Sequence, residues 1–312
     1  MTERFVHGRV ALVTGASSGI GAAAARLFAE RGYTVYGASR RGTVPGAADP
    51  VAADPLPAGP IAADPVTAVG KTPETAGRGL SGVLRPLVMD LSDNASVAAG
   101  IGEILRREGA LDILVHAAGD GLAGPAETCA AEDAVRQMEV NYFGALRLLG
   151  AALPAMRERR RGLVILVGSV GGIFSIPFQT LYSSSKAALA MLGEGLRLEL
   201  RPFNIRCSLV LPGDVRTGFT AARRSISCPE VYRRAMKGAV AVMERDERRG
   251  MPPEAVARAI ADLARKKHPP AHRVLGGTYR LFVFLNRLLP YCIVEKLLAM
   301  TYLRDEESTT PP

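Results

Sequence analysis

The chain has 312 residues, a length that fits either two domains or one α/β domain carrying insertions. Hydrophobic residues make up 48% and charged residues 22%, which supplies a core and excludes global disorder and a purely fibrous chain. The net charge of +9 is uneven: residues 1–156 hold 13 basic and 16 acidic side chains, and residues 157–312 hold 26 and 14. Such asymmetry suits an acidic partner, an anionic membrane surface, nucleic acid or a phosphorylated ligand.

The first residues lack the apolar run of a secretory signal. Cys129, Cys207, Cys228 and Cys292 lie far apart, with neither CxxC nor Cys/His metal spacing. Reduced thiols in a cytoplasm, and no metal, are the expectation. In chain order, residues 10–14 read as an apolar strand and 20–31 as an Ala-rich helix. Strands follow at 34–39 and 83–89, then a helix over 92–108 with Ser92 as its N-cap. Further strands occupy 111–117, 163–167 and 205–211, and helices fill 131–157, 182–201 and 253–266. Strands apolar on both faces that alternate with helices predict a parallel sheet covered on both sides.

Residues 42–82 break this alternation, being rich in Ala, Pro, Gly and Asp and repeating Ala-Ala-Asp-Pro at 47–50, 52–55 and 62–65. Proline at this frequency forbids helix and strand ladders alike. The stretch reads as a flexible insertion, either a low-complexity expansion or a recognition repeat.

Between the first strand and the first helix lies Thr14-Gly15-Ala16-Ser17-Ser18-Gly19-Ile20-Gly21. Small residues let the backbone approach a pyrophosphate, and the helix N-terminus offers unpaired N–H groups and a positive dipole end. Gly15, Ser17, Ser18, Gly19, Ile20 and Gly21 are therefore candidate cofactor residues. Folds that take NAD place an acid after the second strand for the ribose 2′-hydroxyl, whereas those that take NADP use arginine. Here the sequence is Ala38-Ser39-Arg40-Arg41, with no carboxylate, so Arg40 and Arg41 point to NADP(H). Asp90, followed by Leu91 at the end of the third strand, is placed to meet the adenine amino group.

Tyr182 and Lys186 lie four apart on one helix face, where an ammonium can stabilise a phenolate. Ser169 ends an apolar strand thirteen residues earlier. Joined in order with the glycine loop, Asp90, Asn141 in Val140-Asn141-Tyr142, and Pro212-Gly213 followed by Thr217, these residues resemble the short-chain dehydrogenase/reductase family in its compact one-domain form. The resemblance also extends to steroid- and retinoid-type members with C-terminal extensions.

The resemblance implies a Rossmann-type doubly wound parallel sheet of about seven strands flanked by helices. It implies one domain over 1–275 and an amphipathic C-terminal extension with a polar tail over 276–312. It further implies hydride transfer between a nicotinamide and a carbonyl or alcohol. By the same resemblance Ser169 hydrogen-bonds the substrate oxygen and Tyr182 gives or takes the proton. Lys186 lowers the Tyr182 pKa and bonds the nicotinamide ribose, and Asn141 holds a relay water. Pro212, Gly213 and Thr217 embrace the nicotinamide, with Leu91, Ala118, Gly119 and Val215 completing the cofactor set.

One departure is His116-Ala117-Ala118-Gly119, where the family commonly has Asn-Asn-Ala-Gly. His116 reads as a core histidine with a backbone partner, and packing around the adenosine half should be altered. Apolar residues after the sixth strand (Phe219, Ile226, Val231, Tyr232, Met236, Val240, Val242, Met243) suggest a lipid-, steroid- or polyketide-like carbonyl or alcohol. Over 281–303 a helical apolar stripe is broken by Asn286, Arg287, Pro290, Glu295 and Lys296, which excludes a membrane span and predicts two amphipathic helices joined at Leu289-Pro290. They suit packing on their own domain, dimer formation or an anionic membrane surface.

The run Arg157-Glu158-Arg159-Arg160-Arg161 is read as a solvated helix C-terminus. No helix-turn-helix or interleaved aromatics support nucleic-acid binding. The expected protein is thus a cytoplasmic NADP(H)-dependent ketone reductase or alcohol dehydrogenase. Family members assemble as homodimers or homotetramers, and the basic half leaves membrane or acidic carrier-protein contact open. The alternatives are a non-catalytic NADP-binding regulatory or scaffold protein, and a related epimerase or dehydratase.

Overall fold

The computed structural model describes residues 8–47 and 82–303. Its elements begin with β1 (Val10–Thr14), α1 (Gly19–Glu30), β2 (Thr34–Ser39), β3 (Val83–Val88), α2 (Asn94–Glu108), β4 (Ile113–His116) and β5 (Leu122–Ala123). Next come α3 (Ala131–Met138), α4 (Gly144–Glu158), β6 (Gly162–Val167), α5 (Thr180–Glu199), β7 (Ile205–Pro212), α6 (Phe219–Ala222) and β8 (Arg224–Ser225). The chain continues through α7 (Glu230–Arg249), α8 (Pro253–Ala264), β9 (His272–Leu275), α9 (Gly277–Leu288) and α10 (Tyr291–Tyr302).

Seven strands form one sheet in the order β3-β2-β1-β4-β6-β7-β9, every pair parallel. Alternation along β1 builds a core on each face, since successive side chains point to opposite sides. Val10 and Leu12 join Val97 and Ile101 of α2, Leu148 of α4 and Leu189 of α5. Ala11 and Val13 join Phe28 of α1 and Ile260 of α8. The buried Ala22–Ala25 run of α1 lets it lie close against α8. The strand order reverses between β1 and β4, which opens a crevice at the carboxyl edge.

The sequence reading differs from the structure in several places. Asp93, rather than Ser92, caps α2: its carboxylate accepts from Ala95 N at 2.9 Å and Ser96 N at 3.2 Å. A carboxylate also suits the positive end of the helix dipole, and the Ser92 hydroxyl is donated to Asp90 instead. The helix read over 131–157 is broken by a π-helical turn at Glu139–Phe143. The strand β9, the small parallel pair β5–β8 and the long helix α7 were not foreseen. The greater part of the 42–82 insertion, and the polar tail from 304 onward, lie outside the described residues.

Asp112 fastens the amino edge of the sheet. Its carboxylate accepts from Arg9 N at 2.9 Å and Val10 N at 3.1 Å, and pairs with Arg159 and Arg161 at 3.1 and 3.3 Å. With only 5% of that side chain exposed, truncation would strand two backbone donors at the start of β1. Asp112→Ala is expected to lower unfolding stability by about 3 kcal/mol, read as a reduced denaturant midpoint. A midpoint unchanged from wild type would remove Asp112 from this role.

Candidate active site

The carboxyl edge opens into a cleft of about 1090 Å³ that reaches from Gly15–Gly21, past Arg40, Arg41 and Asp90, to Tyr182 and Pro212–Thr217. The glycine loop forms because only glycine fits it. Gly15 sits at φ +69°, and a Cβ on Gly21 would meet the Gly15 carbonyl oxygen at 2.3 Å. Ser18 makes no side-chain cap to α1, so the first N–H groups of that helix are left to a bound anion. The loop therefore fits a pyrophosphate. Thr217 closes over it, its methyl carbon 3.3 Å from where a Gly19 Cβ would stand. Arg40 and Arg41 are exposed at the end of β2, facing the cleft. The Asp90 carboxyl is held below its ordinary value by hydrogen bonds from Ser92 and by Arg40 nearby.

Where amide side chains were missing from the sequence motif, Thr14 and His116 take over. Thr14 Oγ1 lies 3.3 and 3.4 Å from Ala117 N and Ala118 N and 3.2 Å from His116 Nδ1. The oxygen accepts from both amides, so its hydroxyl donates to Nδ1 and the ring proton sits on Nε2. Burial, reinforced by the Lys186 charge, lowers the His116 pKa to about 3 and keeps the ring neutral. His116 is thus a core histidine, held by the Thr14 hydroxyl and by a backbone hydrogen bond with Asn141.

The π-helical turn brings Asn141 inward, fully buried behind the cleft. Its amide nitrogen donates to Asp120 O at 3.0 Å and Ser185 Oγ at 2.9 Å, and its Oδ1 accepts from Asp120 N at 2.8 Å. Ser185 in turn donates to Tyr182 O at 2.7 Å, so Asn141 fixes the turn of α5 that carries the reacting groups. A Cβ on Gly119 would lie 3.4 Å from both Asn141 Oδ1 and Lys186 Nζ, so the Gly119 turn packs against both side chains.

Ser169 follows β6 and sits against Tyr182 on α5, its Oγ accepting from Gly171 N at 3.0 Å. Burial pushes the Tyr182 phenol up to about 12, opposed by its hydrogen bond with Ser169. Lys186 donates to the Val167 carbonyl at 3.1 Å, and its Nζ lies 5.9 Å from the Tyr182 ring centroid. Burial lowers this ammonium to about 8. All the cofactor residues named from sequence, together with Ser169, Tyr182 and Lys186, line the one cleft.

The substrate half contains residues the sequence reading passed over. Of the apolar set named there, Phe219 and Met243 reach the cleft, whereas Val231 is exposed. Phe219 lies 5.6 Å from the Tyr182 ring, and Phe174 and Ile176 extend the same wall. The tail supplies Tyr279 and Tyr302, whose ends of α9 and α10 border the cleft. Gly213 is needed for this arrangement, since a Cβ there would collide with the Tyr279 ring. Tyr279 donates to the Asp214 carboxylate. Beside them Glu247 pairs with the deeply buried Arg223 at 3.7 Å, and desolvation raises its carboxyl to about 7. Polar residues within an apolar, tail-built wall carry no short sequence motif, because helices remote in sequence assemble them.

The sequence model of short chain dehydrogenases matches residues 62–226. A 3-ketodihydrosphingosine reductase of Bacteroides thetaiotaomicron is 32% identical over 94% of this chain and 98% of its own length. Human 17-beta-hydroxysteroid dehydrogenase type 1 is 41% identical over 44% of this chain and 42% of its own. Among solved structures, a short-chain dehydrogenase from Streptomyces avermitilis superposes with a TM-score of 0.72 and 27% identity, covering 93% of this chain and 94% of that one. The glycine loop, the Ser169–Tyr182–Lys186 grouping and these likenesses agree, and the chain belongs to the short-chain dehydrogenase/reductase family of oxidoreductases.

Proposed function

We propose that the protein is an NADP(H)-dependent reductase of a hydrophobic ketone, able to oxidise the matching secondary alcohol. The observation that carries this reading is one cleft holding Ser169, Tyr182 and Lys186 at one end and, at the other, Arg40 and Arg41 where β2 ends without an acidic residue. The nicotinamide, when bound, supplies or accepts the hydride. Everything else falls to the chain. The helix N-terminus and glycine loop hold the pyrophosphate, and the two exposed guanidiniums face the 2′-phosphate. Ser169 donates to the substrate carbonyl oxygen and orients it. Tyr182, protonated at neutral pH, releases its proton to that oxygen as negative charge develops. Lys186, whose Nζ lies 5.9 Å from the Tyr182 ring centroid, would stabilise the phenolate left behind and contact a ribose hydroxyl. A water beside Asn141 and Lys186 would return the proton from solvent.

The wall of Phe174, Ile176, Phe219 and Met243 favours an apolar substrate. The likeness to a 3-ketodihydrosphingosine reductase supports a long-chain lipid ketone over a small one. Leu146 on α4 and Met191 and Leu198 on α5 stand exposed, which supports homodimer or homotetramer formation through these two helices.

Tyr182→Phe is expected to lower kcat by about a thousandfold while the NADPH Kd stays within about twofold, measured by steady-state kinetics and fluorescence titration. Full turnover in that variant would refute the assignment. Arg40→Ala should weaken NADPH about fivefold and leave NADH nearly unchanged, since an exposed charge-assisted contact is worth roughly 1 kcal/mol. Equal losses for both cofactors would argue against 2′-phosphate recognition. Because Lys186 loses its proton above about 8, ketone reduction should decline as pH rises through that value. A kcat that stays flat up to pH 10 would separate Lys186 from the proton transfer.

A further inference from the structure

The two C-terminal helices have dissimilar faces. Inward, Tyr279 and Tyr302 border the cleft, and Val283 and Val294 are buried. Outward, Leu281, Phe284 and Leu288 stand 56%, 57% and 63% exposed at helical spacings of three and four, so they form one stripe of α9. Tyr291 and Met300 continue the apolar surface on α10 at 72% and 64% exposure. More than half of the exposed large apolar side chains among the described residues lie within 281–303.

Charge selects the occupant. Arg280 and Arg287, seven residues apart, run along one flank of the α9 stripe, and Lys296 is exposed on α10. Glu295 is the single acid between 277 and 303. A second copy placed face to face would bring two cationic rims together. An anionic lipid surface accepts both features: apolar side chains enter the acyl boundary while long basic side chains reach headgroup phosphates. Among the described residues no helix is long and apolar enough to cross a membrane, so the contact lies in the plane of the surface.

We propose that the outward face of α9 and α10 docks on an anionic lipid surface, holding the helices that border the cleft against the bilayer. This inference is independent of the reductase reading, because the face exists whatever the cleft turns over.

The test is flotation of the full chain with vesicles of phosphatidylcholine, with and without about 30% phosphatidylserine. Co-flotation is expected with the anionic vesicles, at least tenfold weaker with phosphatidylcholine alone, and weakened by added salt. Combining Leu281→Glu, Phe284→Glu and Leu288→Glu should abolish flotation while leaving NADPH binding intact, which reports that the fold is kept. Arg280→Glu with Arg287→Glu should remove the preference for anionic vesicles. Absence of flotation with anionic vesicles would overturn the proposal, as would flotation unchanged in the triple-Glu variant. If light scattering instead found a larger wild-type assembly that the triple-Glu variant dissociates, the face would belong to a second copy.

Discussion

A single buried ammonium organises the site. Lys186 is 5% exposed, and a charge withdrawn from water is tolerated only where dipoles replace the lost hydration. The Val167 carbonyl at the end of β6 provides one such dipole at 3.1 Å, which fixes α5 to the carboxyl edge of the sheet. The same charge helps keep His116 neutral, so β4 can end in a buried ring without a second cation beside the first. Gly172 then has to be a glycine, because a Cβ there would run into the Lys186 backbone. Asn141 completes the support by holding Ser185, one turn of α5 away from Tyr182.

This constraint also explains why the fold and the chemistry are hard to separate. In a parallel sheet the strand ends are the places where backbone dipoles are unpaired and loops converge. β1, β4, β6 and β7 each deliver one part of the site at that edge: the glycine loop, the His116–Gly119 turn, Ser169, and Pro212–Thr217. The other edge is held by Asp112, whose contacts with Arg9, Val10, Arg159 and Arg161 are purely architectural.

What could be read from the sequence follows the same division. The β1, β2, β6 and β7 strands were evident because each is largely buried on both faces and so carries a run of mostly apolar residues. The glycine loop, Ser169, Tyr182 and Lys186 were evident because close backbone approach and proton transfer restrict residue type. β9 was not, since His272–Leu275 is a short edge strand of mixed polarity whose pairing with β7 is long-range. The π-helical turn at Asn141 was invisible because its residues fit an ordinary helix. Tyr279, Tyr302 and Glu247 were missed for a related reason: they become cleft residues only after α7, α9 and α10 fold back over Pro212–Thr217. The basic excess of the second half lies ahead of the tail, within residues 157–276, while the arginines facing the nucleotide belong to the first half.

The central claim is that this cleft transfers a hydride to a carbonyl carbon and a proton from Tyr182 to its oxygen. NMR of the product formed from a long-chain ketone with NADPH deuterated at the transferring position of C4 tests it most directly. One deuterium on the carbinol carbon for each NADP formed is the predicted result. Product free of deuterium, or substrate rearranged with no net consumption of NADPH, would contradict the account.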